Sequence, residues 1–353
     1  MNMTKHRTWA LALLAFLAVF LLANFVIWKS FTADMLNAGE YVTPDLVRLS
    51  YLSGSTIRRK AGCTLPKQHI ESAQFSGQRV DVLTVGDSFS NKKEVGPNQL
   101  YQDWLATERS LTVMNARPLG GLDEVETVIA LLNSGYLDRV RPRAVILETA
   151  ERYCIGRYAG DLDFGLTRPR RELEAEYGKP EAEPGLPVPG FVNMSNVKFL
   201  ANSVLYKFSA NAFFSQVYAK DLVAPFFSVP RDRRLLFFRE ELSSIPFATE
   251  HSVGLLNENL NELAQRLKKK GITLYFMPAA NKYTIYSGYL ADPAHPKSVF
   301  FELLRGLPKR YVFVDTKAIL QEEVKKGEKD VYYPDDTHWS WKAAKKIAES
   351  MKF

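Results

Sequence analysis

Residues 9–28 form an apolar run in which Asn24 is the only strongly polar side chain. Twenty residues of α-helix rise about 30 Å, which matches the hydrocarbon thickness of a bilayer. A buried helix of a soluble domain would normally keep a polar stripe, and this run has none. The sequence therefore predicts a membrane-spanning helix over residues 9–28, with the rest of the chain folded beyond it.

The charges before this run indicate its orientation. Lys5 and Arg7 precede it, so we expect residues 1–8 to stay cytoplasmic and the following chain to cross the membrane. Two interpretations are open, an uncleaved signal anchor and a cleaved signal peptide. The run is longer than the apolar core of a usual signal peptide, and no clear small-x-small cleavage site follows, which favours the anchor. Both interpretations place residues 29–353 outside the cytoplasm.

Composition places the remaining chain among ordinary folded domains. Of 353 residues, 46% are hydrophobic and 24% are charged, which is too apolar for global disorder. The net charge of +7 comes from scattered residues, whereas nucleic-acid binding needs a concentrated basic stripe. Two cysteines, Cys63 and Cys154, are too few for a disulfide scaffold or a Cys-based zinc site. In an oxidising compartment they can form one disulfide or remain two separate buried thiols.

Short apolar runs rich in β-branched residues predict five strands. The runs cover residues 80–86, 111–115, 144–148, 272–278 and 311–315. Helical patterns lie between them, at 122–132 and 255–267. Because continuous apolar strands that alternate with amphipathic helices are typical of a parallel sheet covered on both faces, we predict a three-layer α/β/α domain. It comprises residues 80–154 and 251–353, preceded by a lead-in segment at 29–79.

Residues 155–250 interrupt this alternation and are predicted to be an insertion. The insertion contains a linker at 168–190 that is rich in proline and charge. An aromatic-rich part follows, with the pairs Phe213-Phe214, Phe226-Phe227 and Phe237-Phe238. These aromatic residues can form the core of an inserted subdomain. Alternatively, they can form a patch that docks on a membrane or on a partner membrane protein.

The first candidate motif, Gly86-Asp87-Ser88-Phe89-Ser90, follows the first predicted strand. At a strand-to-helix turn the hydroxyl of Ser88 would be exposed, and its own backbone N–H could face a developing oxyanion. A serine hydroxyl is a weak nucleophile, so this role needs a base that accepts its proton. The motif is weak by itself, because an ordinary helix N-cap uses the same residue types.

The second candidate motif spans residues 334–339 and precedes a helical pattern at 340–351. It contains Asp335, Asp336 and His338, and a histidine shortly after a carboxylate suits a base that is oriented by an acid. A surface turn or part of a metal site could show the same pattern. A metal site would want a further well-spaced histidine or acidic cluster, and the other histidines show no such spacing.

Together the two motifs resemble the SGNH (GDSL-like) hydrolase superfamily in their order and spacing. The DTHW segment at 336–339 resembles the signature of its membrane-anchored acyltransferase-like branch, which includes the alginate O-acetylation proteins. The resemblance covers residues 80–150 and 270–353. It implies an SGNH-like, flavodoxin-like fold in which Ser88 is the nucleophile and His338 is the base. It implies no metal and no diffusible cofactor.

The resemblance leaves the identity of the catalytic acid open. The general superfamily spacing, Asp-x-x-His, selects Asp335, whereas the alginate-type spacing, Asp-x-His, selects Asp336. The serine precedes the histidine in this chain, and those alginate proteins have the reverse order. We therefore favour Asp335 and keep Asp336 as the alternative.

The resemblance also suggests oxyanion donors besides the N–H of Ser88. The family has a glycine in an Asn-x-x-x-x-Gly segment, and residues 115–120 fit that spacing. Gly120 is thus the candidate donor, with Gly121 as the fallback, although either could be an ordinary turn glycine. The third family block departs from its usual Gly-x-Asn-Asp and places Arg152 where an oxyanion asparagine would stand. Arg152 could donate to the oxyanion or pair with a neighbouring glutamate, Glu148 or Glu151.

Lys282 and Tyr283 lie in a segment that resembles another recurrent part of the acyltransferase-like branch. They could line the substrate cleft, and the alternative for Lys282 is a structural role. The resemblance implies a single-pass protein of the bacterial inner membrane with a periplasmic catalytic domain. It implies transfer of an acyl group, such as acetyl, through an acyl-serine to an exported polysaccharide. The acyl donor would be a membrane-bound O-acyltransferase-type partner.

Two other functions are compatible with the same fold. A carbohydrate esterase would release acyl groups to water, and a non-catalytic protein would bind or assemble polysaccharide. The departure of the third block from the family pattern weakens the case for an ordinary esterase.

Overall fold

The computed structural model describes residues 3–33, 44–52, 65–91, 100–179, 190–212 and 215–353. Its strands are β1 (Ile70–Glu71), β2 (Val82–Val85), β3 (Val113–Ala116), β4 (Ala144–Ala150), β5 (Val217–Asp221), β6 (Arg234–Phe238), β7 (Thr273–Ala279) and β8 (Val312–Phe313). Six of them form one sheet in the order β1-β3-β2-β4-β7-β8, and every pairing in it is parallel. The other two, β5 and β6, form an antiparallel hairpin.

The helices alternate with these strands. In chain order they are α1 (Met3–Ile27), α2 (Asp45–Ser50), α3 (Ser88–Asn91), α4 (Tyr101–Glu108), α5 (Glu124–Asn133), α6 (Tyr136–Val140), α7 (Glu151–Tyr158), α8 (Arg170–Tyr177), α9 (Met194–Leu205), α10 (Arg239–Ser243), α11 (Glu250–Lys268), α12 (Lys282–Tyr286), α13 (Phe300–Arg305), α14 (Thr316–Lys325) and α15 (Trp341–Ser350). The predicted α/β class with a parallel sheet is thereby confirmed.

Burial explains why the sheet was predictable. Every residue of β2, β3 and β4 is buried, and most of these residues are apolar, so each strand stands out in the sequence as a short apolar run. The longest amphipathic helix, α11, begins at a Thr249 cap that accepts a hydrogen bond from Ser252 N–H. Gly271 follows its last turn with φ +74°, a conformation that glycine adopts without a steric penalty.

The prediction of a parallel sheet of about five strands is confirmed, since each predicted run overlaps a strand, and the sheet contains one strand more. The sixth strand, β1, is a two-residue edge strand of half-buried residues, so it leaves no apolar run in the sequence. The hairpin of β5 and β6, within residues 155–250, was also not anticipated. In β5 buried and less buried residues alternate, as in a strand with one covered face.

The aromatic pairs of residues 155–250 divide between two cores. Phe226, Phe227 and Phe237 join the main core around the sheet. Phe238 packs against a second core, which contains Leu46, Val47, Tyr51, Leu52, Phe199, Tyr206, Ala212, Val217, Ala219 and Leu236. The pair Phe213-Phe214 lies outside the described residues. The aromatic residues in the described part therefore attach this region to the rest of the protein.

The amino-terminal helix is exposed along most of its length. Residues Lys5–Thr32 form a helix long and apolar enough to cross a membrane, and its last turn, Trp28–Thr32, is π-helical. Asn24 and Thr32 are exceptions to this exposure, because both are buried against the folded part. Cys154 is buried, and Cys63 lies outside the described residues, so a disulfide and two separate thiols both stay open.

Candidate active site

The candidate nucleophile lies where β2 ends and α3 begins, at the carboxyl edge of the parallel sheet. Asp87 braces this turn, since its carboxylate accepts hydrogen bonds from Phe89 N–H at 3.1 Å and from Ala150 N–H at 2.8 Å. The second bond joins the turn to the end of β4, so the position of Ser88 depends on two central strands. Within the described residues, no acceptor lies in hydrogen-bond contact with Ser88 N–H, which leaves that donor available to an oxyanion.

The turn also requires the glycine that precedes Asp87. A Cβ atom on Gly86 would press against Ser90 Oγ and Glu148 Oε2. Glu148 is fully buried on β4 and accepts a hydrogen bond from Ser90 Oγ at 2.8 Å. Burial, followed by the nearby charge of Asp87, raises the pKa of Glu148 well above its usual value. Both effects favour the neutral form of Glu148 beneath the nucleophile, which would reduce the charge repulsion with Asp87.

The candidate base comes from the loop before α15, close to the carboxyl end of the chain. His338 is 4% exposed, and its ring packs 4.6 Å from the ring of Phe89, centroid to centroid. Its Nε2 lies 2.8 Å from Ser88 Oγ, although 250 residues separate the two in sequence. Its Nδ1 lies 2.6 Å from Asp336 Oδ1. The three side chains thus have the contacts of a serine–histidine–aspartate triad.

The contact at Nδ1 decides between the two candidate acids. Asp336 Oδ1 also accepts a hydrogen bond from the backbone N–H of His338 at 3.1 Å, so the carboxylate holds both the ring and its backbone. Asp335 was the favoured acid, and the structure corrects this preference in favour of Asp336. The physical reason is the tight turn, which brings the carboxylate two residues earlier against the ring. Asp335 is fully buried beside it.

A third carboxylate, which the sequence analysis missed, faces the same ring. Asp45 Oδ2 lies 3.8 Å from His338 Nδ1, and Asp45 Oδ1 accepts a hydrogen bond from Thr337 N–H at 2.9 Å. Asp45 begins α2, in the lead-in segment between the apolar helix and the sheet. The charge of a second carboxylate so close can stabilise the imidazolium that forms in the transition state when a serine is deprotonated.

The loop that carries Asp336 and His338 is held from below by a buried lysine. Lys282 Nζ donates hydrogen bonds to the backbone oxygens of Tyr333, Pro334 and Asp336, at 2.6, 3.1 and 3.2 Å. Burial lowers the pKa of Lys282 to about 8, although nearby carboxylates, Asp335 foremost, oppose the shift. With its side chain buried and bonded to the loop, Lys282 positions the triad.

Tyr283 also differs from its predicted role. Its side chain is 1% exposed, and its hydroxyl donates to the backbone oxygens of His295 and Pro296, each at 3.1 Å. The expectation that Lys282 and Tyr283 line a substrate cleft is therefore replaced by structural roles for both.

The structure does not present Gly120 as a free oxyanion donor. Its N–H donates to Glu176 Oε1 at 2.8 Å, and its carbonyl accepts from Arg168. Helix α8, which carries Glu176, thus covers this candidate donor. Gly121, the fallback, has φ +78°, so it serves as the turn glycine of the alternative interpretation.

Arg152 is buried at the start of α7, near the same edge of the sheet. Its guanidinium lies over the ring of Tyr153 at 4.6 Å and over that of Phe238 at 5.5 Å. Its ion pair is with Glu240, at 3.9 Å, and the pairing expected with Glu148 or Glu151 is not formed. Arg152 lines a cavity of about 350 Å³ together with Tyr153 and Glu240, and no residue of the triad lines this cavity. The structure does not place it in contact with Ser88 or His338.

Asp45, Asp336 and His338 also bring potential metal-ligand atoms within 4.8 Å of one another. Both ring nitrogens of His338 are engaged by Ser88 and Asp336, so a metal ion there would displace a triad contact. The chemistry that this arrangement supports directly is activation of a serine hydroxyl by a base.

The protein has a parallel sheet, a serine after the second strand and a histidine just before the last helix. These features define an SGNH hydrolase-like domain. Residues 234–351 match the family model described as "SGNH hydrolase-like domain, acetyltransferase AlgX". The match covers less than half of the chain, and it confirms the predicted resemblance to the SGNH-like alginate O-acetylation branch. The matched range includes Asp336 and His338, and Ser88 precedes it. No curated protein and no solved structure gives a significant match.

Proposed function

We propose that the protein is a membrane-anchored, extracytoplasmic O-acyltransferase that moves an acyl group, such as acetyl, to an exported polysaccharide. The observation that carries the proposal is the pair of contacts at His338, 2.8 Å to Ser88 Oγ and 2.6 Å to Asp336 Oδ1. The match of residues 234–351 to an acetyltransferase family supports acyl transfer as the chemistry.

The contacts support the following sequence of steps. His338 Nε2 accepts the proton of Ser88, and Ser88 Oγ attacks the carbonyl carbon of an acyl donor. Asp336 accepts the hydrogen bond from Nδ1–H and stabilises the imidazolium, with Asp45 as a second nearby anion. The N–H of Ser88 is placed to donate to the oxyanion of the tetrahedral intermediate. His338 then protonates the leaving group, which leaves an acyl-serine.

The second half of the reaction reverses these roles. A sugar hydroxyl replaces the leaving group and loses its proton to His338 as its oxygen attacks the acyl-serine carbonyl. The ester formed on the glycan departs, and Ser88 recovers its proton. A water molecule in place of the sugar would make the protein an esterase, so acyl transfer requires the acceptor to exclude water.

The contacts of α1 support a retained anchor. Asn24 is hydrogen bonded by Asn196 at 3.0 Å, and Phe31 stacks on Phe199 with ring centroids 4.5 Å apart. A cleaved signal peptide has no need of specific contacts with the mature domain, whereas an anchor gains a fixed orientation from them. By resemblance, the acyl donor is a membrane-bound O-acyltransferase-type protein.

Replacing Ser88 with alanine tests the proposal. In cells that lack the native protein, expression of the wild type should restore acylation of the cell-surface glycan, and expression of Ser88→Ala should not. More acylation with Ser88→Ala than with the wild type would indicate an esterase. Equal acylation with the two proteins would indicate a binding or assembly role. Labelling with a fluorophosphonate probe gives an independent measurement. The wild type and Ser90→Ala, a serine of the same turn, should be labelled, whereas Ser88→Ala should not.

A further inference from the structure

Helix α9 exposes an apolar face that the folded domain does not cover. We call Met194, Val197, Leu200 and Val204 the α9 stripe, and their side chains are 68%, 51%, 52% and 54% exposed. Their spacing of three or four residues places them on one side of the helix. Phe208, just past the helix end, is 78% exposed.

The opposite face of α9 shows that this exposure is unusual. Asn196 and Phe199 are buried there, and Asn202 donates a hydrogen bond to the backbone oxygen of Ser50 at 3.0 Å. An amphipathic helix in water normally buries its apolar side chains and exposes its polar ones. Three polar side chains of α9, Ser195, Asn196 and Asn202, form hydrogen bonds with other parts of the protein, whereas the exposed stripe is apolar.

The buried face of α9 is joined directly to the amino-terminal helix. Asn196 Nδ2 donates to Asn24 Oδ1 at 3.0 Å and to the Asn24 backbone oxygen at 3.3 Å. Asn24 lies four residues before Trp28, the end of the apolar run, a distance of about 6 Å along a helix. Since Asn196 contacts Asn24, α9 lies level with the carboxyl end of the apolar run, where α1 would leave a bilayer.

The charges beside the stripe fit a lipid surface. Lys198 and Lys207 are both exposed, one within the helix and one just after it. Lysines beside the apolar face of an interfacial helix reach towards lipid phosphates while the apolar side chains enter the acyl boundary. An aliphatic stripe with neighbouring lysines, continuous with a spanning helix, therefore matches the surface of an anionic bilayer.

We propose that α9 is a second membrane contact and that the α9 stripe is embedded in the lipid interface beside α1. This inference rests on the membrane-anchor part of the proposed function and is independent of the acyl-transfer chemistry. With two contacts of different geometry, the domain cannot rotate freely about the axis of α1. The edge of the domain that carries α9 is then held against the bilayer.

Fluorescent labels on single cysteines in the full chain test this inference. Cys63→Ser gives the background, because Cys154 is buried. An environment-sensitive fluorophore is attached at Val197→Cys or, as a matched control, at Val312→Cys. Val312 is an exposed valine on strand β8, outside the second core. The proteins are reconstituted in vesicles of phosphatidylethanolamine and phosphatidylglycerol.

The expected result is a blue-shifted emission at position 197, with iodide quenching several-fold weaker than at position 312. Lipids that carry a nitroxide on the acyl chain should quench the label at 197 and spare the label at 312. Equal iodide quenching at the two positions would overturn the proposal. Shielding of 197 that appears only after a partner membrane protein is added would overturn it as well, in favour of a protein interface.

Two further measurements separate this inference from the proposed membrane anchor, on which it rests, and from the proposed acyl transfer. Flotation of the vesicles reports whether α1 anchors the protein, so an unanchored chain is recognised before the labels are interpreted. Fluorophosphonate labelling of Ser88 reports the catalytic site in the same samples. A lipid-embedded stripe in a protein with an unreactive Ser88 would support the membrane contact and refute the catalytic proposal.

Discussion

Replacing Asp336 with asparagine gives the sharpest test of the triad. The amide keeps the shape of the carboxylate but removes the charge that faces His338 Nδ1 at 2.6 Å. Because Asp336 and His338 are 2% and 4% exposed, solvent cannot replace the lost charge. The amide can also donate to Nδ1, which stabilises the tautomer that cannot accept the serine proton at Nε2.

The expected loss follows from the remaining charges. Removing the acid of such a triad lowers kcat by about 10⁴, which corresponds to about 5.5 kcal/mol. Here Asp45 Oδ2 remains 3.8 Å from the same nitrogen, so we expect Asp336→Asn to lose about 10³-fold. The double variant with Asp45→Asn should approach the full 10⁴-fold loss, about one further factor of ten. Asp335→Asn is the matched control and should stay within about tenfold of the wild type.

The assay is release of p-nitrophenol from p-nitrophenyl acetate by the purified full chain in detergent, with thermal unfolding as the check of folding. A folded Asp336→Asn variant with an activity within tenfold of the wild type would refute the assignment. So would a loss in Asp335→Asn that equals the loss in Asp336→Asn.

Three further predictions follow from the surroundings of the triad. Gly86→Ala should lower the free energy of unfolding in urea by about 1–3 kcal/mol, because the new Cβ meets Glu148 and Ser90. Gly156→Ala should not lower it, because nothing lies within 4 Å of a Cβ there, and equal effects of the two substitutions would refute the steric argument. Since burial raises the pKa of Glu148 above its usual 4.5, the wild type should lose stability as the pH rises above that value, and Glu148→Gln should lose less. Parallel melting temperatures of the two proteins across that range would contradict this reasoning. Lys282→Met should lower kcat and the rate of fluorophosphonate labelling, and an unchanged kcat would show that the loop needs no support from this side chain. Above about pH 8, where Lys282 loses a proton, the activity of the wild type should fall, and the activity of Lys282→Met should not show this fall.

The parts of the fold that the sequence predicted well are those with strong local signals. Strands β2, β4 and β7 lie in the sheet interior, so nearly all of their residues are buried and most are apolar, and the predicted runs overlap them. The nucleophile and the base were predictable for a similar reason, since each lies in a short turn directly beside a regular element.

Contacts between distant segments were beyond the reach of the sequence. Asp45 reaches Thr337 across 292 residues, and no local pattern marks it. Spacing alone could not choose between Asp335 and Asp336, because the choice depends on how the turn directs each carboxylate. Lys282 was recognised as part of a recurring segment, but only the packing shows that its ammonium holds a loop. The covering of Gly120 by Glu176 likewise depends on where α8 docks.

The segment that follows the apolar helix connects that helix to the triad. The second core unites α2, α9 and the hairpin, Ile27 of α1 packs against it, and Asp45 at the start of α2 contacts the loop of His338. If α1 spans a bilayer as proposed, Ser88 works at a constant height above the lipid. If the acceptor is an exported polysaccharide, as proposed, it must then pass within reach of that height, which favours modification of chains as they emerge over modification of polymer already released.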